Sequence, residues 1–312
     1  MALPIISNKK RKLIKFITNF IPIKIYRKKL RGILMLGHKR YQDVIHNDDK
    51  RKFPHILSIM AIMKNEGPYI KEWLDYHILV GVEKFYLYDN ESTDDTKRIL
   101  EPYIKKGIVD YTYWPGKAQQ MIAYTDAFNK HANDTKWMAI IDLDEFLVAA
   151  DYDTIPEFLE TLPKNFAELV IGWEQFGSSG HKTKPDGLVI ENYKYHAAKS
   201  WGIKSIVNPR LVYETTNPHT HEVAGFMIDE NGKRLGRIDQ TENRNITTHK
   251  IRINHYVTKS FDEYIERMNK GTATKQPISE YRSLEKFKMY DKNEVYDNTM
   301  DKYVKKLKKI LD

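Results

Sequence analysis

Two aspartates one residue apart, Asp142 and Asp144, follow the apolar run Trp137–Ile141. A carboxylate pair just past a buried strand can turn both side chains to one side. Hard cations such as Mn²⁺ or Mg²⁺ take oxygen ligands, usually a few carboxylates plus substrate phosphate oxygens. A departing diphosphate needs that charge compensation. Asp151 and Asp153 repeat the spacing, but they sit between Ala149-Ala150 and Pro156, where no apolar run delivers them. The first copy is therefore the expected metal–phosphate site and the second a solvated loop.

Polar pairs end two further apolar runs: Asn65-Glu66 after Ile56–Met63, and Asp89-Asn90 after Lys84–Tyr88. Such pairs can read a base and ribose by hydrogen bonds, and they equally suit turns and helix caps. Lys204 and Arg210 are candidate diphosphate contacts or surface charges. Trp173, Phe176 and Trp201 are candidate platforms for sugar rings or members of the core. His219 and His221 form a His-x-His pair of the kind found in metal-dependent hydrolases, with Asp142 or Asp144 as the carboxylate.

The elements that must position these residues alternate. After the run ending at Met63, Pro68 suits a first helical turn, and Ile70, Trp73, Leu74, His77 and Ile78 keep helical spacing up to Gly81. The strand Lys84–Tyr88 precedes Ser92 and Asp95, which resemble a capping box for a helix through Ile99, Leu100 and Tyr103. A third strand, Ile108–Tyr113, precedes a helix of about 14 residues through Met121, Ile122 and Phe128. Trp137–Ile141 is the fourth strand and Leu169–Trp173 a later one. Ser260 and Glu263 form a capping box for a helix carrying Phe261, Tyr264, Ile265 and Met268. Short links between strands and helices predict an α/β fold, a Rossmann-like, mostly parallel sheet with helices on both faces. Ligands bind at the carboxyl ends of such strands, where the polar pairs lie.

The motifs carry a family resemblance. Ala61-Ile-Met-Lys-Asn-Glu66, the helix with Trp73, Tyr76 and His77, and Tyr86-Leu-Tyr-Asp-Asn-Glu-Ser-Thr-Asp94 resemble the opening of a GT-A fold glycosyltransferase. Ile140-Ile-Asp-Leu-Asp-Glu-Phe146 resembles the Asp-x-Asp block of such enzymes. Phe176-Gly-Ser-Ser-Gly-His181 and Asn254-His-Tyr-Val-Thr-Lys-Ser260 are similar to glycosyltransferase family 92 and its family-2-like bacterial relatives. The resemblance spans roughly residues 55–270.

It implies a nucleotide-sugar donor, usually a UDP-sugar, a divalent metal (Mn²⁺ or Mg²⁺), and inversion at the anomeric carbon. Asn65, Glu66, Asp89 and Asn90 would line the nucleoside pocket. Asp142 would approach the ribose or the metal, and Asp144 would ligate the metal. His255 is the first choice for a further ligand and His221 the second. Inversion needs a carboxylate to deprotonate the acceptor hydroxyl. Glu174, before the Gly/Ser loop, and Glu222, beside His219 and His221, are the two candidates. The Glu-Asp base motif familiar from family 2 is not evident.

Composition bounds the alternatives. The 312 residues are 41% hydrophobic and 30% charged, enough to bury a core. The absence of cysteine excludes a disulfide scaffold, a thiol nucleophile and a Cys-ligated zinc. No apolar run reaches the length of a membrane span. The formal charge of +9 is unevenly placed: residues 1–52 hold 15 Lys+Arg against 3 acidic residues, and the rest hold 36 against 39. A near-neutral body without a nucleic-acid motif argues against nucleic-acid binding.

Both ends read as basic amphipathic helices. Leu13, Phe16, Ile17 and Phe20 share a face amid Lys9, Lys10, Arg11, Lys12 and Lys15, with Arg27, Lys28, Lys29 and Arg31 beyond. Tyr303, Val304, Leu307, Ile310 and Leu311 share another amid Lys302, Lys305, Lys306, Lys308 and Lys309. Such helices either pack on the domain or lie on an anionic membrane surface. The expected organisation is a basic extension over 1–52, a catalytic domain over 53–275 and a basic helical segment over 276–312. The expected setting is cytoplasmic and peripheral, on the inner face of a bacterial membrane. The expected acceptor is a surface glycan or glycolipid such as lipooligosaccharide, capsule or a teichoic polymer. The alternative is the hydrolase using His219, His221, Asp142 and Asp144.

Overall fold

The computed structural model describes residues 7–236, 246–269 and 283–311. Among the described residues, three helices lead in: α1 (Asn8–Asn19), α2 (Lys24–Leu36) and α3 (His38–Asn47). Then β1 (His55–Met63), α4 (Gly67–Leu79), β2 (Lys84–Asp89), α5 (Thr96–Lys105), β3 (Val109–Tyr113), α6 (Gln120–His131) and β4 (Thr135–Ile140) alternate as the sequence predicts. β5 (Glu145–Ala149), α7 (Ile155–Glu160) and the long β6 (Phe166–Gln175) follow. The pattern then loosens into α8 (Val189–Asn192), β7 (Tyr195–His196), β8 (Ile203–Val207), β9 (Val212–Glu214), β10 (Glu222–Val223), β11 (Phe226–Ile228) and β12 (Arg234–Leu235). The last elements are β13 (Ile251–His255), α9 (Phe261–Asn269), α10 (Leu284–Tyr290), β14 (Val295–Tyr296) and α11 (Asp301–Leu311).

The main sheet runs β12-β11-β6-β8-β4-β1-β2-β3. The half formed by β4, β1, β2 and β3 is parallel, so all four strands end on one side. β8 enters antiparallel between β4 and β6. β13 pairs in parallel with the end of β6 and antiparallel with β5, the strand that follows Asp142 and Asp144. This is the α/β architecture, largely parallel, expected of a GT-A fold. Apolar residues on the two sheet faces form two cores, one under α4 and α5 and the other under α6 and the leading helices.

Helix α4 fixes β5. Trp73 Nε1 donates to the Glu145 carbonyl at 2.9 Å, and the Tyr76 hydroxyl donates to the Leu147 carbonyl at 2.7 Å. His77 Nδ1 lies 2.8 Å from the Trp73 carbonyl, while its Nε2 accepts from the Leu147 N–H at 3.3 Å. Those bonds require a neutral imidazole, and burial pushes the His77 pKa down to about 3. The motif residues Trp73, Tyr76 and His77 therefore anchor the strand that leaves the Asp-x-Asp turn.

One of the two expected capping boxes changes. Ser92 and Asp95 do not cap α5. Asp94 Oδ1 accepts from the Thr96 N–H at 3.0 Å, and Ser92 Oγ accepts instead from the Asn65 N–H at 2.9 Å. The Ser260–Glu263 box does form, with the Ser260 N–H donating to Glu263 at 3.0 Å.

The C-terminal helix is not surface-seeking on its apolar stripe. Tyr303, Val304 and Leu307 join the main core, and the Tyr303 and Tyr76 rings meet edge-on at 5.2 Å. Among the described side chains of that stripe, Ile310 alone stays exposed. The Lys28 and Leu311 side chains and residues 270–282, which include the boundary expected after residue 275, lie outside the described residues. No described helix is long and apolar enough to cross a membrane.

Candidate active site

Asp142 and Asp144 occupy the turn between β4 and β5. The turn closes on itself: the Glu145 N–H donates to the Asp142 carbonyl, and the Asp142 N–H donates to the Glu145 carboxylate at 2.9 Å. The Tyr256 N–H, just past β13, donates to the Asp144 carbonyl at 2.8 Å. This tie brings β13 and its last residue, His255, against Asp144.

The two carboxylates do not share a partner. Asp142 Oδ2 lies 2.8 Å from the Lys204 ammonium, and Glu145 lies 3.7 Å from it. Lys204 is fully buried on β8. Burial pulls its pKa down, but Asp142 and Glu145 outweigh burial and hold it above the ordinary lysine value. Burial, joined by Asp142 and Asp144, drives Glu145 well above the usual carboxylate range despite Lys204. Lys204 is thus a buttress of the turn rather than an open diphosphate contact.

Asp144 turns the other way. Its Oδ2 lies 2.6 Å from the Arg267 guanidinium and 3.5 Å from His255 Nε2. Burial pushes this carboxyl up, but Arg267, His255 and Lys259 together hold it well below its usual range. Arg267 belongs to α9, opened by the Ser260–Glu263 cap, and its guanidinium also donates to the Val257 carbonyl at 2.7 Å. Lys259 has φ 50° and places its ammonium 4.2 Å from the Tyr69 ring centre. A left-handed lysine costs about 1–2 kcal/mol, and here it delivers a cation toward Asp144 and Glu66. Neither Arg267 nor Lys259 was singled out as a site residue from sequence. Lys259 lies within the Asn254–Ser260 motif, and the capping box pointed to the helix that carries Arg267.

Of the expected metal set of Asp142, Asp144 and His255, Asp144 and His255 face one another, whereas Asp142 Oδ2 turns to Lys204. Among the described residues no three His, Cys, Asp or Glu side chains are arranged to hold a metal. Asp144 and His255 still offer a carboxylate oxygen and an imidazole nitrogen facing one another. His255 Nδ1 is buried without a hydrogen-bond partner among the described residues. This pair fits a divalent cation that draws its other ligands from phosphate oxygens and water.

Trp173 walls the site. Its ring centre lies 4.3 Å from that of His255 and 5.5 Å from that of His219. Gly202, with φ 112°, packs under it: a Cβ there would come within 2.0 Å of the indole. Only glycine allows the β8 approach to lie so close to the ring. Trp201 is partly exposed, whereas Phe176 is buried against Tyr256 and His196 and belongs to the core.

The predicted bases lie elsewhere. Glu174 alternates with Trp173 along β6 and pairs with Asn254, so it faces the opposite side of the strand from Trp173. There it accepts from Thr248 Oγ1 at 2.6 Å and Ser200 Oγ at 3.1 Å, with His196 at 3.3 Å. Glu222 accepts from the Tyr213 hydroxyl at 3.0 Å on the small β9–β10 ribbon. Neither is brought to Asp144. Arg210 is also removed from the site. It is buried, pairs with Asp48 at 2.7 Å and donates to the Ala132, Thr135 and Lys136 carbonyls.

The strand-end pairs are brought together but partly spent on structure. Asp89 accepts from the Ser92 N–H at 2.8 Å and the Tyr111 hydroxyl at 2.7 Å. Asn90 Nδ2 donates to the Trp114 and Gly116 carbonyls, each at 2.8 Å. Asn65 Oδ1 accepts from the Thr93 N–H at 2.7 Å. Glu66 lies in the electrostatic reach of Arg267 and Lys259.

His219 and His221 do not converge with Asp142. His219 Nδ1 lies 3.0 Å from the Ile203 carbonyl, and His221 Nδ1 lies 3.1 Å from Thr215 Oγ1. Burial, then the nearby Lys204 ammonium, lowers them to about 4 and about 3. A buried ammonium holding Asp142 beside both rings opposes a second cation there.

Residues 60–293 match glycosyltransferase family 92. A glycosyltransferase family 92 protein of Ricinus communis is 27% identical over 228 residues, 71% of this chain and 39% of its own. The beta-1,4-galactosyltransferase galt-1 of Caenorhabditis elegans is 23% identical over 262 residues, 76% of this chain and 57% of its own. This chain thus spans well under two thirds of either relative. Among solved structures, S. aureus TarS 1-349 in complex with UDP is similar at 15% identity and a TM-score of 0.34, over 50% of this chain and 47% of that one. The match from β1 to the segment after α10 takes in the Asp144 turn, β13 and α9, and the chain belongs to glycosyltransferase family 92.

Proposed function

We propose that this chain transfers a sugar from a nucleotide-sugar, most simply a UDP-sugar, to a hydroxyl of a glycan or glycolipid, with inversion at the anomeric carbon. The observation that carries the reading is the Asp144–His255 pair at the carboxyl edge of the sheet, within the segment matching family 92. In the transfer, the acceptor oxygen bonds to the anomeric carbon as the bond to the nucleoside diphosphate breaks. The hydroxyl proton passes to a base, and the diphosphate leaves with added negative charge.

Asp144 and His255 would hold the divalent metal, Mn²⁺ or Mg²⁺, and its contribution would be to neutralise that charge. Arg267 and Lys259 add two cations next to Asp144 on which the diphosphate can also settle. Trp173 excludes water from one side and offers an aromatic face to a sugar. Glu66, Asp89 and Asn90 at the neighbouring strand ends would receive the nucleoside. A bacterial surface polymer as acceptor rests on the membrane placement read from the basic ends, and the two curated relatives described above come from a plant and an animal.

Release of the nucleoside diphosphate from UDP-, GDP-, CDP- and dTDP-sugars, with and without Mn²⁺, tests the reading. One donor should turn over in a metal-dependent way. No release from any of them, with or without acceptor extracts, contradicts it.

A further inference from the structure

We infer that the α1–α2 hairpin is a docking surface for an anionic lipid bilayer, and that the C-terminal helix is not part of it. Both ends of the sequence carry an apolar stripe ringed by lysines, and the fold treats them oppositely. The α11 stripe is consumed in the core through Tyr303, Val304 and Leu307. The α1 stripe faces outward: Leu13 is 55% exposed, Phe16 62%, Ile17 52% and Phe20 73%.

This exposure is a consequence of how α1 is bolted down. The helix seats its opposite face, with Ile14 and Thr18 buried. Arg11 and Lys15 grip Glu214 on β9 at 3.2 and 3.0 Å. Arg31 of α2 donates to Thr18 and Asn19, locking the two helices together. At 100° per residue the outward stripe centres about 130° around the helix from Ile14 and Thr18. Helix α2 extends it with Tyr26, Leu30 and Leu34, all exposed. Phe16 and Phe20 pack edge-to-face at 5.2 Å within the stripe.

A lone exposed leucine needs no explanation, but seven large apolar side chains exposed on two locked helices do. The occupant is identified by charge. Lys10 and Lys12 flank the α1 stripe on either side, Lys9 extends it, and all three are exposed. The first 52 residues carry 15 basic side chains against 3 acidic ones. An apolar row rimmed by lysine fits the interface of a bilayer. There the rings enter the acyl boundary and the ammonium groups meet anionic headgroups. This placement goes beyond the transfer reaction and does not depend on it.

Co-sedimentation of the full chain with vesicles tests the inference. The chain should pellet with a phosphatidylcholine–phosphatidylglycerol mixture, release at high salt, and stay largely in solution with phosphatidylcholine alone. The exposed double substitution Phe16→Ser with Phe20→Ser should keep the melting temperature and weaken binding about tenfold or more. Phe20→Trp should gain a blue-shifted emission component with anionic vesicles, a readout independent of the double variant's folding. Wild-type chain left in the supernatant with anionic vesicles overturns the proposal. So does binding that the double substitution leaves unchanged. So does a dimer in light scattering that this substitution dissolves without any effect on vesicles, which would assign the stripe to a second copy.

Discussion

The Asp144 carboxylate and the Arg267 guanidinium meet at 2.6 Å, joining the turn after β4 to a helix more than a hundred residues later. Arg267 stands against the same oxygen that faces His255. In the absence of donor it supplies the positive charge that a buried carboxylate needs. Arg267→Ala therefore leaves Asp144 short of a cation. We expect a stability loss of about 2–4 kcal/mol, at the low side of buried pairs because the guanidinium is partly exposed. We also expect a larger Mn²⁺-induced rise in melting temperature than in the wild type, read by thermal shift. An equal Mn²⁺ response in both proteins would separate Arg267 from the metal-binding carboxylate.

Lys204 makes a second prediction. Its ammonium is fully buried between Asp142 and Glu145. Lys204→Met removes one charge and strands the Asp142 partner, so unfolding by urea should show a loss of about 3–5 kcal/mol. Lys204→Met paired with Asp142→Asn should recover part of it. A variant as stable as the wild type would show that the turn does not depend on this ion pair.

Glu174 should prove dispensable for chemistry. It is held by Thr248, Ser200 and His196 on the side of β6 opposite Trp173. Glu174→Gln should keep transfer within about tenfold of wild type and lose about 1 kcal/mol of stability from weakened hydrogen bonds. Transfer falling by orders of magnitude with nucleotide binding intact would restore Glu174 as the base.

Three buried histidines set a pH dependence. In the fold His77 and His221 titrate near 3 and His219 near 4, all lowered first by burial from 6.5. A folded value below the unfolded one means that the unfolded chain takes up protons first as pH falls. Their contribution is complete above about pH 6.5 and is lost as pH drops toward 4 and then 3, at up to about 1.4 kcal/mol per pH unit for each. Melting temperature should fall steeply between pH 6.5 and 4, and less steeply in His77→Gln. A flat profile over that window would contradict the assignment of these rings as neutral in the fold.

Much of the scaffold was legible because its signals are local. Apolar runs of strand length, Pro68 at a first turn and the Ser260–Glu263 box each act within a few residues, and β1 to β4 with their helices follow from them. Asp144 and His255 were legible as candidates because each lies in a motif, one in the turn before β5 and the other at the end of β13. What stayed hidden depends on which side a chain turns. Asp142 and Asp144 share a spacing, yet Lys204 takes one and Arg267 the other, and both partners come from distant elements. The side on which Glu174 lies was hidden for the same reason: one step along β6 from Trp173 moves a side chain to the opposite face. The two basic ends have the same pattern, and only packing distinguishes them, since α4 offers Tyr76 to the α11 stripe while Glu214 grips α1 by its other side.

The most direct test of the central claim is calorimetric titration of UDP into the full chain with Mn²⁺, repeated on Asp144→Asn. The account predicts binding by the wild type that requires the metal, and a loss of at least about tenfold, 1.4 kcal/mol, in the variant. UDP binding that is equally tight without metal, or unchanged in Asp144→Asn, would contradict it.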